Sequence, residues 1–413
     1  MSIFSLVSLI LVLVAVFAYL NLKVFKLPTT IGVMIIALVF SSSLIALHSF
    51  GFNYDVMAKE ILSKIDFHST LMNGMLSFLL FAGAMHVNLN DLKKELVPIS
   101  LLATVGVLLS TFLIGYLTFL IITPLNPSIQ FIHCLLFGAL ISPTDPIAVI
   151  SLLKEAKAPK SLETKIAGES LFNDGVGVVI FIVILQLITT NAELSVVNIS
   201  TLFIQEAVGG ALFGLVAGLI GFFALKSIDN YKVEVIITLA LVTGGYSLAH
   251  YLHLSGPIAM VIAGLLIGNQ GREHAMSETT ERYLGLFWEL VDEILNLSLF
   301  VLVGLEIIVI SYNLDIFYYS LAIIPTVLLG RFLGVLFPIT IMRRFRTFTR
   351  GVVPVMTWGG LRGGISIALA LSIPDMPGRN IFIGITYSVV VFSVIVQGLS
   401  FKRVLKFYIK EKK

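Results

Sequence analysis

Gly168-Glu169-Ser170-Leu171-Phe172-Asn173-Asp174-Gly175 opens a stretch that runs on from Val176 to Thr190 without a charged side chain. A run of that length and polarity has what a helix needs to cross a hydrocarbon core of about 30 Å. At about 100° per residue, Ser170 and Asp174 stand one above the other at i,i+4, and Glu169 and Asn173 form the neighbouring row. Four polar groups thus share one side of a helix whose continuation is apolar. A charged side chain at membrane depth costs at least about 2.5–3.5 kcal/mol, so it persists mainly where pairing or function holds it. A solvated helix end would account for Glu169 alone, but not for Asn173 and Asp174 a turn deeper.

The rest of the 413-residue chain is the same material: 57% of its residues are hydrophobic and 12% charged. Soluble domains carry about 25% charged residues, and a water-soluble fold this apolar would expose large patches and aggregate. Every gap between apolar runs is a short loop, so the chain reads as one integral membrane domain, 1–413. The lone cysteine, Cys134, excludes an intramolecular disulfide, and no Cys/His cluster has metal-ligand spacing. The run Ile3 to Leu20 lacks the basic start, short core and Ala-x-Ala-like site of a cleaved signal, and reads as a retained first helix.

About thirteen spans follow, near 2–22, 28–48, 69–87, 96–122, 130–153, 168–190, 201–225, 233–252, 255–269, 290–310, 318–342, 351–372 and 380–402. Cytoplasmic loops are enriched in Lys and Arg. With the C-terminus inside, the alternate loops and the tail hold 22 of the 27 basic residues. The outer loops hold three, Lys59, Lys64 and Arg379, and Arg331 and Arg362 fall within spans. The N-terminus is therefore expected outside. Because the positive charge sits at membrane edges, the net charge of +3 does not indicate nucleic acid. Two six-span halves joined by the span 201–225 would be inverted relative to each other, the build of many secondary transporters.

Removing the loop residues leaves Asp145, Glu169, Asp174, Arg331 and Arg362 at membrane depth, with Glu306 a weaker case near an outer end. Asp145 lies in Ser142-Pro143-Thr144-Asp145-Pro146. Two prolines three residues apart remove amide donors and clash with the preceding turn, so this span should unwind. Irregular backbone at that depth is tolerated where it is buried in protein or lines a cavity. Its freed carbonyls and the Thr144 hydroxyl then become hard oxygen ligands; a proline kink with a capping aspartate is the plainer alternative. In the other half, Trp358-Gly359-Gly360-Leu361-Arg362-Gly363-Gly364 suggests a second broken helix. Interrupted spans at matching places in two halves point to a transporter site. A buried arginine needs a carboxylate, and Glu169 is the partner expected for Arg331.

These three motifs resemble those of the cation:proton antiporter 1 family, which includes the bacterial and archaeal NhaP antiporters and animal sodium/proton exchangers. They occur in order and in the expected spans, so the resemblance covers essentially the whole chain. It implies an all-α antiporter fold of two inverted repeats with crossed broken helices. Asp174 would carry the proton or the sodium ion, and Thr144, Ser170 and Asp145 would complete the ion site. Asn173, one residue before the key aspartate, would join that group and mark the electroneutral branch. Glu169 and Arg331 would form a structural ion pair, and Arg362 would stabilise the crossed helices. A homodimer in the inner membrane is implied. Its core domain (96–190 and 318–402) would move against an interface domain (2–87 and 233–310), with 201–225 as the linker helix. No cofactor is implied. Some relatives place a carboxylate in the third span, where this chain has Ala82, so selectivity among sodium, lithium and potassium stays open.

The physics of the site supports exchange. Burial disfavours a bare carboxylate, and either a proton or a cation relieves it, so the two compete for Asp174. Two buried acids also admit an intramembrane aspartyl protease, but that chemistry wants a Gly-x-Gly-Asp setting, whereas Asp174 follows Asn173. A potassium/proton antiporter and a cation channel with the same lining remain alternatives. Histidine titrates near neutral pH, yet His86, His250 and His253 read as interfacial residues, and His274 as part of a charged loop.

Overall fold

The computed structural model describes residues 3–48, 50–64, 66–189, 196–310 and 313–408. Lys410, Lys412 and Lys413 of the basic tail, and the predicted span ends at Ser2 and Thr190, lie outside the described residues. The described residues are helical, and the single backbone bridge outside helices joins Asp145 to Leu361. Eight helices are long and apolar enough to cross a membrane by themselves: Phe4–Phe25, Thr29–His48, Leu96–Ile122, Lys160–Thr189, Ser200–Lys226, Tyr231–Tyr251, Leu314–Met342 and Arg379–Tyr408. Their outward faces carry large apolar side chains such as Phe112, Tyr116, Leu120 and Phe223. In lipid that exposure is favourable, because helices satisfy their own backbone groups there.

Both predicted breaks are present. The span expected at 130–153 is two half-helices, Phe131–Ile141 and Ile147–Glu155. The span expected at 351–372 is Val352–Trp358 and Gly364–Leu371. Proline alone does not decide this. Leu314–Met342 contains Pro325 and Pro338 and stays one helix. Each of those prolines deletes one backbone bond from an otherwise intact ladder, whereas Pro143 and Pro146 strike the same turn.

The tenth span differs from the expectation of 290–310. Its helix begins at Glu278 and ends at Leu305, followed by the short turn Glu306–Ile308. Ser277 caps it by accepting from the Thr280 amide at 3.3 Å, and Glu278 and Glu281 in its first turn complement the helix dipole. One face of this charged half is buried through Thr280, Leu284 and Trp288, at helical spacing. The sixth helix is longer too. It starts at Lys160, and its buried Lys165 pairs with Glu95 at 2.8 Å.

Small residues let helices approach closely. Gly210, Gly214 and Gly218 of Gly210–Lys226 lie against Ser255, Ala259 and Ala263 of Gly256–Leu266. In lipid such stripes supply packing that the hydrophobic effect does not. Around the two breaks, Val107–Ile122 packs on Phe131–Ile141, and Leu314–Met342 packs on Val107–Ile122 and Arg379–Phe392. These helices surround the site.

Candidate functional site

The two breaks meet. The Asp145 amide donates to the Leu361 carbonyl at 2.8 Å. Arg362 Nη1 donates to the Ser142 carbonyl at 2.5 Å and to the Pro143 carbonyl at 2.7 Å. Those carbonyls are orphans at the C-terminal end of the half-helix Phe131–Ile141, where a cation is favoured by the helix dipole. Gly363 must be glycine: a Cβ there would overlap the Asp145 carboxyl group. The last helix braces the second break. Ser393 Oγ accepts from the Arg362 amide at 2.9 Å and donates to Gln397 Oε1 at 2.7 Å, and Gln397 Nε2 donates to the Trp358 carbonyl at 3.1 Å.

The helix Lys160–Thr189 lies against the first break. Ser170 Oγ donates to the Thr144 carbonyl. Asn173 Oδ1 accepts from the Thr144 amide at 3.3 Å, and Asn173 Nδ2 donates to Thr144 Oγ1 at 2.8 Å. Thr144, Ser170 and Asn173 are all buried. Asp174, one turn beyond Ser170, is 9% exposed. It lies within electrostatic reach of Asp145, and no hydrogen bond is among the influences on its carboxylate. Asp145 is half-buried and caps the half-helix Ile147–Glu155 by accepting from the Ile147 amide at 3.0 Å. The capping role allowed by the sequence is therefore real.

The buried pair is as expected. Arg331 Nη1 pairs with Glu169 Oε1, and Arg331 Nη2 donates to Glu169 Oε2 at 2.9 Å and to the Met356 carbonyl at 3.1 Å. This two-pronged contact ties Lys160–Thr189 to Leu314–Met342 and to the second broken helix. Both charges are neutralised in place, and a buried fork of this kind is far more directional than a lysine pair.

Other expected residues lie apart from this network. Ala82 is buried on Leu76–His86, and its carbonyl is 2.7 Å from His86 Nδ1. Glu306 sits on the turn closing Glu278–Leu305 and takes no part in the bonds joining the breaks. Ser393 and Gln397 were missed because neither is charged, and uncharged polar residues in apolar spans carry no strong signal. Asp292 and Asn296 were missed in the polar head of the tenth span. The apolar rhythm Leu284, Trp288, Val291, Leu295 marks a helix there.

A carboxylate, two hydroxyls and a main-chain carbonyl are the kinds of oxygen that could hold a hard cation. Residues 11–407 match the family described as sodium/hydrogen exchanger, transmembrane. The chain belongs to that family and is a multi-pass membrane protein. It is 49% identical over 401 residues to the Na(+)/H(+) antiporter NhaP of Pseudomonas aeruginosa, covering 96% of this chain and 95% of that one. It is 34% identical over 392 residues to the Na(+)/H(+) antiporter NhaH of Halobacillus aidingensis, covering 93% of each. Its fold matches the sodium proton antiporter MjNhaP1 from Methanocaldococcus jannaschii at pH 8, with a TM-score of 0.77 at 20% identity over 98% of each chain.

Proposed function

We propose that the protein is a secondary transporter that exchanges sodium or lithium for protons, one for one, through Asp174. The observation that carries this reading is the charge arrangement at the breaks. Glu169 and Arg331 neutralise each other, and Arg362 is committed to carbonyls. Asp174 is left buried one turn beyond Ser170, whose hydroxyl meets the Thr144 carbonyl. A bare carboxylate in that place is disfavoured until a proton or a cation joins it. One ligand therefore leaves as the other arrives. If the surrounding helices move only when Asp174 is occupied, exchange follows by alternating access.

In this reading Thr144 and Ser170 coordinate the cation, and Asp145 faces it across the break. Asn173 holds Thr144 in place with both of its amide atoms. The helices of 96–190 and 318–402 form the moving core, and those of 2–87 and 233–310 form the interface side of a homodimer, with 201–225 as linker. The chain crosses an inner membrane about thirteen times, with its N-terminus outside and its C-terminus cytoplasmic. No cofactor takes part. Ala82 leaves the site without a third-span carboxylate, and potassium is the competing cargo to test.

Dye-reported proton movement in everted vesicles decides this, with sodium, lithium and potassium added in turn across pH. Asp174→Asn cannot take up and release a proton, so it is expected to show no exchange with any cation. An active Asp174→Asn protein in proteoliposomes rules out the proposal, and exchange confined to potassium replaces sodium as its cargo.

A further inference from the structure

The helix Glu278–Leu305 carries a polar row that no part of the site above uses. Glu278 and Gly285 are seven residues apart, and Glu289, Asp292, Asn296 and Leu299 follow at steps of four, three, four and three, so all fall on one stripe of the helix. At its start, His86, Arg272, Glu278, Glu281, Arg282 and Glu289 line an open depression of about 440 Å³. At its far end Leu299 packs directly on Gly364, the first residue after the second break. The stripe therefore connects an open mouth to the meeting point of the broken helices.

Two residues between those ends lack an ordinary structural explanation. Asp292 is only partly buried and lies within electrostatic reach of Asp145 in the first break. Asn296, the next residue inward on the stripe, is 1% exposed. Its Nδ2 is turned to the Asp292 carboxylate, whereas its Oδ1 has no hydrogen-bond partner among the described residues. A buried carboxamide oxygen left without a donor is destabilising. Lipid-side packing would favour an apolar residue there. An unsatisfied carboxamide oxygen beside a carboxylate is instead a pair of hard oxygen donors for a monovalent cation that keeps part of its water.

We infer that Asp292 and Asn296 form a second, transient cation subsite between the open mouth and Asp174, on the side that the proposed topology makes cytoplasmic. This deepens the exchange reading and rests on it. The subsite collects the cation from the mouth through Glu289, holds it opposite Asp145 and passes it to the Asp174 pocket. It touches neither the proton-carrying carboxylate nor the bonds that hold the breaks. It should therefore set the affinity for cation on one face of the membrane and leave the maximal rate alone.

The experiment measures sodium KM and maximal rate separately at the cytoplasmic face, in everted vesicles, and at the outer face, in right-side-out vesicles. Asp292→Asn and Asn296→Ala are expected to raise the cytoplasmic KM roughly fivefold, with the maximal rate and the outer-face KM held. Asn296→Asp adds a charge to the subsite and is expected to lower the cytoplasmic KM. Glu293→Gln makes the same charge change as Asp292→Asn about 100° round the helix, and should do neither. An unchanged KM in both Asp292→Asn and Asn296→Ala overturns the subsite. So does an equal rise in Glu293→Gln, which would assign the effect to overall charge. Asp174→Asn separates the two readings. If it is silent while Asp292→Asn behaves as the unaltered protein, the subsite alone falls; if it is active, the exchange reading falls.

Discussion

The two broken helices solve the same problem with opposite chemistry. The first is interrupted by prolines and filled by side chains: Thr144 is tied to Asn173 and Ser170, and Asp145 caps the half-helix that follows. The second is interrupted by glycines and is nearly bare, but it delivers a guanidinium. Arg362 reaches across to the carbonyls that the prolines set free. One break thus exposes negative backbone ends and carboxylates, and the other supplies the buried positive charge that makes them tolerable. Neither would survive alone at this depth, because unsatisfied backbone groups in a membrane interior cost several kcal/mol each.

The sharpest way to break that reciprocity is to remove a buried charge. Arg362→Leu is expected to leave the Ser142 and Pro143 carbonyls of the first break uncapped, and Arg331→Ala or Glu169→Ala to leave a buried ion unpaired. Each should cost about 3–5 kcal/mol. The readout is yield and thermal unfolding in detergent, with little change in sodium affinity in whatever folds. Values matching the unaltered protein would mean that these pairs do not hold the site together.

A smaller effect is expected from closing the gap between the breaks without touching a charge. Gly363→Ala places a methyl group against the Asp145 carboxyl, and overpacking of this kind costs about 1–3 kcal/mol. Exchange should fall with it, since Asp145 is displaced. Gly244→Ala meets nothing within 4 Å and is the matched control; it should leave folding and transport as they are. Equal effects at the two positions would show that the close approach of the breaks is dispensable.

The smallest effect lies outside the membrane. Asp91 accepts from Lys160 at 2.7 Å and from Lys94 at 3.2 Å, and these contacts hold its carboxyl below the ordinary 3.8. A lowered folded value stabilises above the unfolded one and is lost as pH falls through the folded value. Asp91→Asn should therefore lower the unfolding temperature slightly at neutral pH, and the difference should vanish on strong acidification. The pair is exposed and screened by salt. A large loss at neutral pH would show that loop electrostatics compete with the buried pairs in holding the fold.

Much of this molecule was legible residue by residue. Pro143 and Pro146 in one turn, and four glycines around Arg362, announced both interruptions. A buried arginine calls for a carboxylate and Glu169 was the one chosen for Arg331, a pair that the family resemblance also implies. The long charged helix Glu278–Leu305 was not legible in full. Its acids resemble a loop until Thr280, Leu284 and Trp288 are seen to bury one face while the acids line an open depression. Ser393 and Gln397 were equally quiet, because an uncharged polar side chain in an apolar span gives no sign of which backbone group it will meet.

By itself, then, the sequence determined the solvent of the fold, where its helices must break and the charges that lie at those breaks. These follow from side-chain hydrophobicity and from the missing amide of proline, which are properties of residues and their near neighbours. Only the tertiary structure decided who bonds to whom. It gave Arg362 to the carbonyls of Ser142 and Pro143, and gave both ends of Asn173 to Thr144. Those choices join groups from 29 to 220 positions apart, and hydrogen bonds form only at the few ångströms that packed helices allow.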